Sequence, residues 1–315
     1  MKALVVITFL FCLSFSLKAE QIAFSTEKSE ENYHFRYIWK DHTSTEQTLS
    51  FELSKTALFD KYRDFSHYKP EVTSQIITQR LFKQIRQNPI PGVQVKFKPH
   101  YRGGGMEIKG RDSEVIQKAQ QQIIELETEI TDEYFENSYY QRFTTYNQIQ
   151  GIKPNHVKIA NMAVEDLKPL KETILEKVST QNVRNATNFT LSLIQTIPYS
   201  KLESRITSSG AGFNPPLRLL WENQGDCDSK VTLTAALLRV LMPRIEIALI
   251  FIEQHALIGI NMPPLPGEQS IKVDNITYVL AEPTGPSVLA LGKISPSSER
   301  AIANGHYIVE KLILP

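Results

Sequence analysis

Three residues stand at element boundaries where their side chains could do covalent chemistry together. Cys227 follows Gly225-Asp226 and opens a stretch to about Leu241. That stretch is apolar nearly all round, so it reads as a buried helix. His255 begins a predicted strand, and Glu282 ends another immediately before Pro283. A thiolate at a helix N-terminus is favoured by the free amides there, which lower its pKa. A neighbouring imidazole lowers it further and carries the proton. A carboxylate on the far ring nitrogen fixes the tautomer and stabilises the imidazolium. The Cys227 backbone amide, also at the helix start, could point at an oxyanion.

Each residue also has a plainer reading. Cys227 alone would be a buried structural thiol, since free Cys behaves as a small hydrophobe. His255 alone would be a satisfied strand residue, and Glu282 a surface charge closing a strand. Asp226 and Asp228 flank the thiol as helix-start acids. No further Cys and no paired His supports a zinc site, so neither a metal nor a cofactor is expected.

The elements that must position these groups follow from periodicity. Glu253-Gln254 predicts a turn between strands at 245–252 and 255–260, and Asp274-Asn275 predicts another before Ile276 to Leu280. Upstream, Tyr33, Phe35, Tyr37 and Trp39 alternate with polar or branched residues, and Leu49, Phe51 and Leu53 repeat the pattern. This stripe reads as a packed sheet face and not as a ligand platform. Val93, Val95 and Phe97 add a strand, and Gly103-Gly104-Gly105 turns the chain back. No Gly-Lys-Ser/Thr follows the triplet, so it is no phosphate loop. Helices are predicted at about 74–87, 112–137, 156–178 and 183–197, with a connector at 148–154. Ile116, Ala119, Ile123, Leu126 and Ile130 make an apolar stripe that packs on its own domain, with a coiled-coil seam as the rarer alternative. Tyr134, Phe135, Tyr139 and Tyr140 form an aromatic patch, and 208–216 is a loop. The resulting division is 1–19 a signal peptide, 20–110 a small β-rich N-terminal domain, 111–180 a helical connector and 181–315 the core.

Length and composition agree with that division. The 315 residues suffice for two modest domains, each with its own core. Lys and Arg number 35 against 34 Asp and Glu, which leaves no electrostatic footprint for nucleic acid. A mean hydropathy of -0.25 with one long apolar run excludes a multi-span membrane protein. That run, Leu4 to Leu17 after Lys2, with Leu17-Lys18-Ala19 ahead of Glu20, reads as an export signal; the alternative is an uncleaved anchor. The expected location is periplasmic or secreted. Cys12 would leave with the signal, so Cys227 is a lone thiol in an oxidising compartment, either buried and inert or reactive with a purpose.

The segment Gly225-Asp226-Cys227-Asp228-Ser229-Lys230, followed by Leu233-Thr234-Ala235-Ala236-Leu237-Leu238-Arg239, resembles the nucleophile helix of the transglutaminase-like superfamily, related to papain. His255 in Glu253-Gln254-His255-Ala256-Leu257-Ile258 is similar to that family's strand-opening His. Glu282 in Ala281-Glu282-Pro283-Thr284 stands where its acid, more often Asp, precedes Pro-Thr or Thr-Thr. Leu193 to Ser200 resembles the helix end ahead of the core in bacterial members, whose Arg-x-Pro appears here as Asn214-Pro215-Pro216-Leu217-Arg218. The resemblance covers about 185–295. It implies an α+β fold in which the Cys helix packs on an antiparallel sheet, and a Cys227-His255-Glu282 triad. Gln224, Asn223 and Trp221 are the candidates for the second oxyanion donor. The implied activity is that of an exported cysteine peptidase or amidase acting on peptide or protein amides of a bacterial envelope. The alternative is a catalytically inactive envelope scaffold, and a third reading has the N-terminal domain dock an envelope partner.

Overall fold

The computed structural model describes residues 19–63, 65–98, 105–178, 182–204, 206, 208 and 210–312. The predicted export segment apart from Ala19, with Cys12 in it, and the Gly103-Gly104 turn lie outside the described residues.

The chain opens with β1 (Glu20–Lys28), β2 (Asn32–Lys40) and β3 (Glu46–Ser54), antiparallel in the order β1-β2-β3. Alternation puts Phe35, Tyr37 and Trp39 on one face with Leu49, Phe51 and Leu53, and all six are buried. The Phe35 and Phe51 rings stack at 5.1 Å. The aromatic stripe is thus a packed sheet face.

A helical and hairpin region follows: α1 (Lys55–Phe59), α2 (Pro70–Gln87), β4 (Val93–Lys98), β5 (Gly105–Gly110) and α3 (Ser113–Asn137). Pro70 starts α2 where a missing N–H costs nothing. Asp112 caps α3 by accepting from the Glu114 amide at 2.8 Å. Ile123 and Ile130 of α3 pack on Ile77, Leu81 and Ile85 of α2, so the α3 stripe is satisfied within the chain. Residues 148–154, expected as a connector, instead contribute to a hairpin of β6 (Tyr140–Thr144) and β7 (Gln150–Pro154). The single helix expected over 156–178 is two: α4 (His156–Ala163) and α5 (Pro169–Leu175). Residues 164–168 form turns between them, and Pro169 opens α5 in its first turn, where a missing N–H costs nothing.

The C-terminal part comprises α6 (Val183–Thr196), α7 (Pro216–Glu222), α8 (Cys227–Leu241), β8 (Ile247–Ile252), β9 (His255–Asn261), β10 (Ser270–Val273), β11 (Ile276–Ala281), α9 (Pro296–Ala303) and β12 (Tyr307–Lys311). Its five strands are antiparallel in the order β10-β11-β9-β8-β12. The chain is therefore a mixed α+β protein with several antiparallel sheets. Every residue of α8 from Ser229 to Leu241 is buried, between β8 and β9 on one side and α4, α6 and α7 on others.

One apolar cluster joins the inner face of β2 and β3 to α5, α6, α7, α8, β8 and β9. The Tyr37 hydroxyl donates to the Leu220 carbonyl at 2.9 Å, and Trp39 Nε1 donates to Ser192 Oγ at 3.0 Å. Both polar tips are satisfied, so these rings contribute their burial, about 1.5–3 kcal/mol each, without an offsetting penalty. Among the described residues no helix is long and apolar enough to cross a membrane.

Candidate active site

Local chemistry starts α8 at Cys227. Asp226 is the N-cap, and its carboxylate accepts from the Ser229 amide at 2.9 Å and from the Ser229 hydroxyl. Just before it, Gly225 donates to the Pro198 carbonyl at 3.2 Å and accepts from the Ser200 amide at 3.1 Å. A Cβ on Gly225 would come within 2.7 Å of Leu219 Cδ1, so a side chain here would have to displace that buried leucine.

The turn between β8 and β9 delivers His255. Ile252 pairs with His255, leaving Glu253-Gln254 as a two-residue turn with Gln254 at φ 56°. The Gln254 carbonyl lies 4.0 Å from Cys227 Sγ. Antiparallel pairing sets Ala281 of β11 opposite Ile258 of β9, so Glu282 emerges beside the start of β9. Its Oε1 lies 3.4 Å from His255 Nε2 and accepts from Ser295 Oγ at 2.9 Å and from Ser298 Oγ, both at the start of α9. With Nε2 committed to Glu282, Nδ1 is the ring nitrogen left for the thiol.

Cys227 and His255 line one cleft of about 520 Å³, together with Gln195, Tyr199, Lys230 and Thr284. Glu282 is 4% exposed and stands behind His255. Burial alone would raise its carboxyl, yet the bonds from His255, Ser298 and Ser295 hold it below the usual range. Lys230 is fully buried in the cleft floor and donates to the Ile197 carbonyl. Burial pushes its ammonium down to about 7 against the pull of Asp226 and Cys227.

The thiol departs from the sequence expectation. Burial pushes it up, Asp228 and Asp226 add to this, and Sγ donates to Asp228 Oδ1 at 3.5 Å. The Asp228 amide works in the other direction. A helix N-terminus does favour an anion, but burial, with the two acidic side chains of the same turn, outweighs it here.

None of the three second oxyanion candidates lines the cleft. The Trp221 ring packs on Tyr33 and Phe59 at 4.6 and 5.2 Å. Asn223 and Gln21 exchange two amide hydrogen bonds, of 2.9 and 2.7 Å, which tie the end of α7 to β1. Gln224 Nε2 reaches Glu222 Oε2 at 3.4 Å. The Cys227 amide has no acceptor among the described residues and stays available to an oxyanion.

Sequence reasoning passed over four groups near the thiol. Gln195 anchors the Glu282 and Leu289 carbonyls through Nε2, while its Oε1 and the Thr284 hydroxyl have no hydrogen-bond partner. Lys230 was legible as the one charge on the buried stretch of α8 before Arg239. His156, in the predicted connector, offered no signal. Among the described residues no group of three or more His, Cys, Asp and Glu is arranged to hold a metal ion. Comparison with protein families, curated proteins and solved structures finds no match for this chain.

Proposed function

We propose that the chain is an exported cysteine-dependent acyl-transfer enzyme, a peptidase or amidase of transglutaminase-like type with a papain-like core. The observation that carries this reading is the meeting of Cys227 and His255 in one cleft, with His255 Nε2 held 3.4 Å from a buried Glu282. In this mechanism His255 Nδ1 takes the thiol proton as Sγ attacks the amide carbonyl. The oxyanion falls to the Cys227 amide. His255 then protonates the leaving amine, the C–N bond breaks, and a thioester remains on Sγ. Water, deprotonated by His255, attacks the thioester, releases the acid and restores the thiol. Glu282 carries no proton in this cycle; it orients the ring and stabilises its cationic form.

The resemblance of Gly225 to Arg239 supports the family, the leader-like start supports export, and envelope peptides or proteins are the substrates that location supplies. A second reading has one observation in its favour: the thiol donates to Asp228, and its surroundings hold it neutral. A scaffold protein with a silent site would look like this.

The test is the pH dependence of Cys227 alkylation by iodoacetamide, in the unaltered chain and in His255→Ala. A rate that stays high below about pH 7 and falls in the variant supports a thiolate–imidazolium pair. A rate that rises only near an ordinary thiol pKa, with no response to His255→Ala, overturns the enzymatic reading in favour of the scaffold.

A further inference from the structure

Beside Cys227 lies a second imidazole–carboxylate pair. Asp228 Oδ1 receives the thiol, and Asp228 Oδ2 lies 3.7 Å from His156 Nε2. His156 is fully buried at the start of α4, between the rings of Phe213 and Phe251 at 5.0 and 5.1 Å. Its tautomer follows from its neighbour. Thr232 Oγ1 lies 2.6 Å from the Asp228 carbonyl, which takes its only hydrogen, and 3.2 Å from His156 Nδ1. Nδ1 must then be the donor, and Nε2 carries a bare lone pair. That buried nitrogen has no hydrogen-bond partner. It therefore faces a carboxylate oxygen, acceptor against acceptor, unless a proton lies between them.

We propose that Asp228 carries a proton on Oδ2, facing the bare Nε2 of His156, and that this proton decides whether Cys227 can ionise. The proposal rests on Cys227 being the nucleophile. With the proton in place, Asp228 is neutral, and the thiol meets no anion from that side. With the proton gone, Asp228 is a carboxylate that accepts the S–H and holds it on sulfur. About a third of the Asp228 side chain (35%) reaches solvent, so the proton can exchange with water, whereas His156 cannot reach it.

The charges around the pair are few. Lys153 of β7 lies over the Phe251 ring at 3.5 Å and pairs with Glu310 of β12 at 2.7 Å. Lys153 favours the Asp228 anion and Glu310 opposes it; His255 of β9 favours it as well. Asp226, at the cap of α8, is committed to Ser229, and Tyr199 faces the same carboxylates across the cleft. Burial outweighs the cations and favours the protonated acid.

The experiment is alkylation of the full chain across about pH 5 to about pH 9, followed by intact mass. Asp228→Asn fixes the neutral state. It should react about tenfold faster than the unaltered chain at about pH 8, with the gap closing toward acid pH, where Asp228 is protonated in the unaltered chain. His156→Gln offers Oδ2 an amide N–H and holds it ionised, so its rate should fall below that of the unaltered chain at about pH 6. Asp226→Asn removes the same charge while keeping a capping side chain and should change the rate much less. The proposal is overturned if the Asp228→Asn rate ratio is the same at every pH, if both variants shift the rate in one direction, or if Asp226→Asn matches Asp228→Asn. Should Asp228→Asn fail to fold, the sign of the His156→Gln effect decides alone. His255→Ala separates this proposal from the enzymatic reading. A pH-dependent Asp228→Asn gap alongside no effect of His255→Ala keeps the Asp228 proton and removes the enzyme.

Discussion

Glu282 Oε1 lies 3.4 Å from His255 Nε2 while the same oxygen is tied to Ser295 and Ser298 at the start of α9. The ring is presented by β9 and the carboxylate is anchored from α9, so its orientation depends on elements that meet only in the folded chain. Glu282→Gln keeps the size of the side chain and removes its charge. The expected result is a loss of about a hundredfold or more in acylation of Cys227, measured by mass, with Glu282→Asp losing less. An unchanged rate would show that His255 is positioned by something else.

The same carboxyl should leave a mark on acid stability. Its folded pKa lies below the ordinary value of 4.5. Such a group stabilises the fold above its unfolded pKa and loses that contribution as pH falls through the folded one. Urea titrations on either side of this range should therefore show a smaller loss of stability on acidification in Glu282→Gln than in the unaltered chain.

Lys230 should act with the opposite charge and at the other end of the scale. Its pKa falls from 10.5 to about 7 on folding. Between those values the unfolded chain binds the proton and the folded chain does not, so stability from this group rises with pH. Over the whole interval the rise is at most about 5 kcal/mol. Lys230→Met should abolish that slope in urea titrations at about pH 7 and about pH 9.5. Equal slopes in the two proteins would mean that the ammonium stays charged in the floor of the cleft.

Because β2 and β3 share one apolar cluster with α8, unfolding of the N-terminal sheet should expose the thiol. Phe35→Ala should cost about 3–5 kcal/mol. In that variant Trp fluorescence and Cys227 alkylation should report the same urea midpoint, shifted together. Two separate midpoints would show that the sheet and the core unfold as independent units.

Much of the site was legible residue by residue. The apolar sweep from Val231 to Leu241 marks a buried helix whatever surrounds it, and Gly225-Asp226 marks its start. The Glu253-Gln254 turn and Pro283 bracket the strands that carry His255 and Glu282. By contrast, Asn223 looked like a free amide near the thiol because its partner, Gln21, lies on β1 at the other end of the chain. Trp221 looked available for the same reason, and its partners Tyr33 and Phe59 are equally distant in sequence.

The sequence by itself determined the local periodicities: an aromatic face on β2, a mostly apolar α8, and a Cys, a His and a Glu at successive element ends. Tertiary structure alone decided that β12 returns to the outer edge of β8, that His156 stands behind Asp228, and that the thiol is held neutral. Periodicity is a property of neighbours along the chain, so a short window contains it. The thiol is held neutral first by burial under elements from distant parts of the chain, and no window of sequence contains that packing.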